Sequence, residues 1–194
     1  DGFNDILMAS GGGESVGKSE LLLDRLYLGD KDGNYIKDTL FTKTYGNASI
    51  IKTADYDLDG DLDVFIGTDD INYDYGATPE SFLLQNNKGR FTKMQEDIFK
   101  NLGMITDAVW DDFDKDGDLD LIVVGEWMSP KFLQNKDGNF SNVTSEIVSQ
   151  KLNGLWQAIQ PFDIDNDGDQ DYLLGNWGLN TKLNASQENP LLMY

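Results

Sequence analysis

The sequence predicts an all-β fold assembled from four-stranded antiparallel blades, and three observations carry that prediction. An acidic nonapeptide recurs: DYDLDGDLD from Asp55, DFDKDGDLD from Asp112 and DIDNDGDQD from Asp163, the first aspartates being 57 and 51 residues apart. An apolar run follows each nonapeptide (VFIG, LIVVG, YLLG). A short apolar stretch, a polar turn with Gly and an aromatic then recur as LYLGDKDGNY from Leu26, FLLQNNKGRF from Phe82 and KFLQNKDGNF from Lys131. Four strands per unit at this period are the signature of a β-propeller blade.

Taken in order, the chain opens with DGFNDILMASGG, which aligns with the second half of an acidic loop and the strand after it. Only the fifth and ninth loop positions, Asp1 and Asp5, are present there. The next stretch, GGGESVGKSELLL, fits the phosphate-loop pattern G-x-x-x-x-G-K-[ST] at Gly12, Gly17, Lys18 and Ser19. In the repeat register it occupies the slot filled later by GTDDINYDYGATPESFLL and GEWMSPKFL, a connection of variable length. A phosphate loop also needs parallel strands with crossover helices, and no amphipathic helical period appears, so the loop reads as a connector. Each Gly-turn element reads as a β-hairpin. A strand precedes each acidic loop in ASIIKTAD, TDAVWDDFD and WQAIQPFD. The whole chain, 1–194, thus reads as one repeat segment, with repeats at about 1–54, 55–111 and 112–162 and a part at 163–194. Three repeat intervals fall short of the blades that usually close a ring, so the propeller is expected to be partial and open. With no initial Met and a start inside an acidic loop, the segment is expected to belong to a longer propeller, its ends covered by further blades or by self-association.

Composition narrows the function. Thirty-five acidic residues against 15 basic ones give a net charge of −20, which repels nucleic acid and anionic membrane and favours cations. Without Cys there is no disulfide framework, and without His the commonest general base is missing. No apolar run reaches the length of a membrane span.

Each acidic loop has the form D-x-D-x-D-G-D-x-D. Carboxylates at positions one, three, five and nine converge when the backbone coils around a point, Gly at six permits the sharp turn, and position seven offers its carbonyl. That oxygen-only cage suits Ca²⁺ over Mg²⁺ or a transition metal. The twelfth position, Glu in an EF-hand, holds Ile66, Val123 and Leu174, and a strand comes next rather than a helix. Turn propensity alone accounts for one such loop, but not for three with the same spacing and five carboxylates in nine residues.

These loops and the strands after them resemble FG-GAP or VCBS repeats, the integrin-α-type propeller units, over essentially the whole chain. DRLYLGDKDGNY, GMITDAVWDDFDKDGDLDLIVVGEW and GNWGLN are most similar to bacterial surface or secreted VCBS-repeat proteins of the ASPIC/UnbV-associated type. The resemblance implies one Ca²⁺ per loop. Its ligands would be Asp55, Asp57, Asp59, Asp61 (carbonyl) and Asp63 in the first loop. They would be Asp112, Asp114, Asp116, Asp118 (carbonyl) and Asp120 in the second, and Asp163, Asp165, Asp167, Asp169 (carbonyl) and Asp171 in the third. The expected function is a non-enzymatic module for protein or glycan recognition or adhesion, placed outside the cytoplasm because extracellular modules of this kind bind calcium at about 10⁻⁴ to 10⁻³ M. The alternative is a propeller domain of a glycan- or phosphoester-processing enzyme, and Asp111 with Glu126 is one acid–base pairing to weigh. Trp110, Trp127, Trp156 and Trp177 are expected to pack between blades rather than to form a sugar platform. The sequons at Asn47, Asn142 and Asn184 carry little weight in a chain of bacterial character.

Overall fold

The computed structural model describes residues 2–178, Ser186, Asn189 and Pro190. Its strands form successive antiparallel sheets. β1 (Ile6–Met8), β2 (Arg25–Gly29) and β3 (Tyr35–Lys37) make the first, and β4 (Asn47–Ala54), β5 (Asp63–Asp70), β6 (Phe82–Asn87) and β7 (Arg90–Lys93) the second. β8 (Met104–Asp111), β9 (Asp120–Met128), β10 (Lys131–Lys136) and β11 (Asn139–Asn142) make the third. β12 (Gly154–Phe162) and β13 (Asp171–Asn176) begin a fourth, touching the third where Gly154 and Leu155 meet Met128 and Glu126. Two single-turn helices, α1 (Asp97–Lys100) and α2 (Thr144–Ile147), link β7 to β8 and β11 to β12. None of these sheets closes on itself. The fold is a partial, open β-propeller, and each acidic loop joins the first strand of a blade to the second.

The second strand of each blade shows why its sequence is a continuous apolar run. On β5, Val64 and Ile66 pack towards the first sheet and Phe65 towards the third. On β9, Leu121 and Val123 face the second sheet while Ile122 and Val124 face β12 and β13. A strand sandwiched between blades has no polar face to alternate with. At the two ends this cover stops: Ile6 and Met8 of β1 are 41% and 47% exposed, and Leu173 of β13 is 62% exposed.

The first strands of the blades carry a device with no local sequence signal. Each has a register irregularity at one repeat position, Ser49, Thr106 and Gln157. Such a bulge turns its residue out of the ladder. Ser49 Oγ donates to the Ile105 carbonyl at 2.5 Å, and Thr106 Oγ1 to the Trp156 carbonyl at 2.8 Å, each reaching the first strand of the next blade. Asp107 adds an ion pair to Lys52 (2.9 Å) and accepts the Ile159 N–H (3.0 Å), so one carboxylate ties three blades.

The phosphate-loop pattern lies between antiparallel strands β1 and β2, and it leads into a single 3₁₀ turn, Glu20–Leu22. Ser19 caps that turn through Leu21 N–H, while Asn47 and Asn72 of the neighbouring blade hold the Gly12 N–H and carbonyl. This is a pinned connector, without the strand–loop–helix context of a phosphate site.

The tryptophans divide, which corrects part of the packing expectation. Trp110 stacks on Tyr56 across the seam of the second and third sheets (6.0 Å, 7°), and Trp156 packs on the cluster between β9 and β13. Trp127 and Trp177 instead sit on the rim opposite the acidic loops. Trp127 is half-buried with its Nε1–H on the Tyr75 hydroxyl, and Trp177 is exposed. Trp127 sits between Glu126 and Met128, where the register of β9 against β12 shifts and its own backbone is left-handed (φ 58°), and Trp177 follows the last residue pair of β13.

Candidate metal centres

The loop from Asp55 coils as its spacing requires. Leu58 and Gly60 adopt left-handed backbone (φ 58° and 94°), as do Lys115 and Gly117, and Asn166 and Gly168, in the other two loops. Within each loop the sixth-position N–H donates to the first aspartate: Gly60 to Asp55, Gly117 to Asp112 and Gly168 to Asp163, at 3.0, 3.0 and 3.1 Å. The coil brings together positions one, three and nine. Carboxylate oxygens of Asp55, Asp57 and Asp63 lie within 4.8 Å of one another, as do those of Asp112, Asp114 and Asp120, and of Asp163, Asp165 and Asp171. The fifth-position aspartates of the first two loops, Asp59 and Asp116, stand outside these clusters and accept the N–H of Asp61 and Asp118. In the third loop Asp165, Asp167 and Asp169 form a further cluster.

The ninth position is the structural keystone. Asp63 is buried, and its two oxygens accept the Tyr56 N–H (3.2 Å) and the Asn86 N–H (2.7 Å). Asp120 repeats this with Phe113 (3.1 Å) and Asn135 (2.8 Å). Burial pushes both carboxyls up to about 6, against the lowering effect of those backbone donors, and neighbouring aspartates push the same way.

The hairpin is the other wall of each cage. β6 and β7 are joined by Lys88 and Gly89, and β10 and β11 by Asp137 and Gly138, all with positive φ, the two-residue turn that matches strand twist. Lys88 N–H donates to Asp61 (2.7 Å) and Asp137 N–H to Asp118 (2.9 Å), so these seventh-position side chains turn to the hairpin. Gln85 Nε2 donates to Asp57 (2.6 Å), and Gln134 makes the equivalent bond to Asp114. Sequence reasoning missed these two glutamines and the asparagines beside them. The signal was the repeated Q-N-x-x-G in FLLQNNKG and KFLQNKDG, which reads locally as turn chemistry alone. The first hairpin differs: its turn spans residues 30–34 and Leu28 falls level with Gln85, while the Gly29 N–H to Asp5 bond (2.9 Å) repeats. Asp1, the other half of that stub, lies outside the described residues, as do Asn184 and the end of GNWGLN.

The residues fit a hard cation. Every converging donor is a carboxylate oxygen, and Asp55 Oδ1 is buried in the first cage with no hydrogen-bond partner. A buried carboxylate oxygen left bare in a cluster of like charges is unfavourable unless a cation completes it. Asp111 and Glu126 make no acid–base pair: Asp111 sits opposite Asp120 and Glu126 opposite Met104, at opposite ends of the same two strands.

Blades with an acidic cage between their first two strands define a propeller of acidic-loop repeats. The chain belongs to the family described as FG-GAP-like repeat, whose model matches residues 1–66 and 112–174, a span that contains all three acidic loops. No curated protein matches the chain.

Proposed function

We propose that this chain is a calcium-stabilised FG-GAP propeller module of the VCBS kind, whose role is recognition of a protein or glycan rather than catalysis. The bare, buried Asp55 Oδ1 inside a carboxylate cage carries the metal reading. The first, third, fifth and ninth aspartates of each loop and the carbonyls of Asp61, Asp118 and Asp169 would hold the ion. Bound calcium supplies positive charge that offsets carboxylate repulsion, and the chain does the rest by fixing loop, hairpin and seam together. The number of oxygens and the flexible loop geometry favour calcium over magnesium. Extracellular modules of this type bind at about 10⁻⁴ to 10⁻³ M calcium, which supports a surface, secreted or periplasmic setting. A net charge of −20 supports partners other than nucleic acid.

The test is a thermal melt with chelator, calcium or magnesium, beside calorimetric titration. Chelation is expected to lower the melting temperature, and calcium to restore it more fully than magnesium. A melt indifferent to chelator would overturn the reading.

A further inference from the structure

Asn135 makes more bonds than a turn residue needs. It is fully buried on β10, and its backbone N–H donates to Asp120 of the second loop. Its Nδ2 donates twice: to the Leu119 carbonyl of that loop (3.1 Å) and to the Tyr56 carbonyl of the first loop (2.8 Å), 79 residues earlier. Its Oδ1 accepts the Gly138 N–H (2.8 Å). Tyr56 lies between Asp55 and Asp57, and its own N–H is held by Asp63. Its ring, 1% exposed, is covered by Trp110 and by Phe140 of β11. The equivalent residue one blade earlier, Asn86, is partly exposed and bonds only within its own blade, to Leu62, Gly89 and Asp63.

We infer that the cages at Asp55 and Asp112 are energetically coupled metal sites and that Asn135 is the positioning residue that couples them. The inference rests on the calcium reading of these loops. Filling either cage fixes its loop, and a fixed loop holds one end of the Asn135 amide. When the first cage is empty, repulsion among Asp55, Asp57 and Asp63 shifts the Tyr56 peptide between them. Asn135 then loses a buried acceptor, and the peptide it shares with the second loop loosens. By reciprocity the second cage acts on the first by the same factor. Among the described residues no such amide joins the third loop to the first, so the third serves as reference.

The sixth-position N–H of each loop reports its own cage, so amide resonances of Gly60, Gly117 and Gly168 can be followed while calcium is titrated. Asp57→Asn should weaken the first cage and raise the calcium midpoint at Gly117 about fivefold or more, leaving Gly168 in place. In an Asn135→Ala background Asp57→Asn should no longer move Gly117, whereas an Asn86→Ala background should preserve the effect. If Gly117 keeps its midpoint within about twofold in Asp57→Asn with Asn135 intact, the coupling is overturned, and that arm needs no change at the buried residue. If none of the three glycines responds to calcium, the metal reading itself fails and the coupling falls with it.

Discussion

At the scale of single residues, the buried ninth-position carboxyls set the sign of the pH response. Asp63 and Asp120 are raised from 3.8 to about 6 in the folded, metal-free chain. A raised acid binds its proton more tightly folded than unfolded. Its stabilising contribution is therefore complete below about pH 4 and is lost as pH rises through about 6. Asp24, Asp69 and Glu96, raised by burial, act in the same direction. With chelator, the melting temperature should be higher at pH 5 than at pH 7.5. With calcium the order should reverse, because the ligands must be deprotonated to bind. Melts at the two pH values, each with chelator and with calcium, check both halves. The glutamines give a second expectation: Gln85→Leu and Gln134→Leu each leave an aspartate unoriented and should weaken calcium binding by about tenfold, read by calorimetry. The carboxylates were legible because their spacing is local. The glutamines were not, since each acquires its role only when a hairpin folds back on a loop about 20 to 28 residues away.

At the scale of elements, the hairpins and seams set the tolerances. Lys88 adopts φ 54° at a turn position that favours Gly or Asn, and its side chain makes none of the turn's bonds. Lys88→Gly should stabilise the protein by about 0.5–1 kcal/mol, and Gly89→Ala, at φ 83°, should destabilise it by about 1 kcal/mol. Denaturant melts in calcium resolve both. Gly67 answers to packing: a Cβ there would lie 2.7 Å from Ile50 Cγ1 and 2.8 Å from Ile105 Cγ2, in the seam between blades. Gly67→Ala should cost about 1–3 kcal/mol in the same assay, and a neutral result would mean the seam is looser than its contacts imply. The strands were legible because a run buried on both faces is apolar throughout and bounded by turn residues. The bulges at Ser49, Thr106 and Gln157 were not. A bulge reflects how a first strand meets its neighbours, and three different side chains occupy it.

At the scale of the whole molecule, one repeat position measures how far each blade is covered. Tyr56, Phe113 and Ile164 are the second residues of the three loops. Tyr56 is 1% exposed beneath Phe140 and Asn135 of the next blade, Phe113 is half-buried, and Ile164 is 66% exposed. Leu173 behaves like Ile164, although its equivalent on β9, Ile122, is wholly buried. At the other end Ile6 and Met8 stand exposed where Val64 and Ile66 of β5 are sealed. The two end faces therefore present the same kind of side chain that fills the inner seams. They are complementary in kind, one facing back along the repeat and the other forward, so head-to-tail stacking can pair them. Apolar blade faces in water favour association. This chain is expected to self-associate in calcium, with an apparent mass that rises with concentration in sedimentation experiments. Leu173→Lys combined with Ile6→Lys should suppress the rise while leaving the calcium-dependent melt in place. An unsubstituted chain that stays monomeric at every concentration would show that these end faces do not pair with one another.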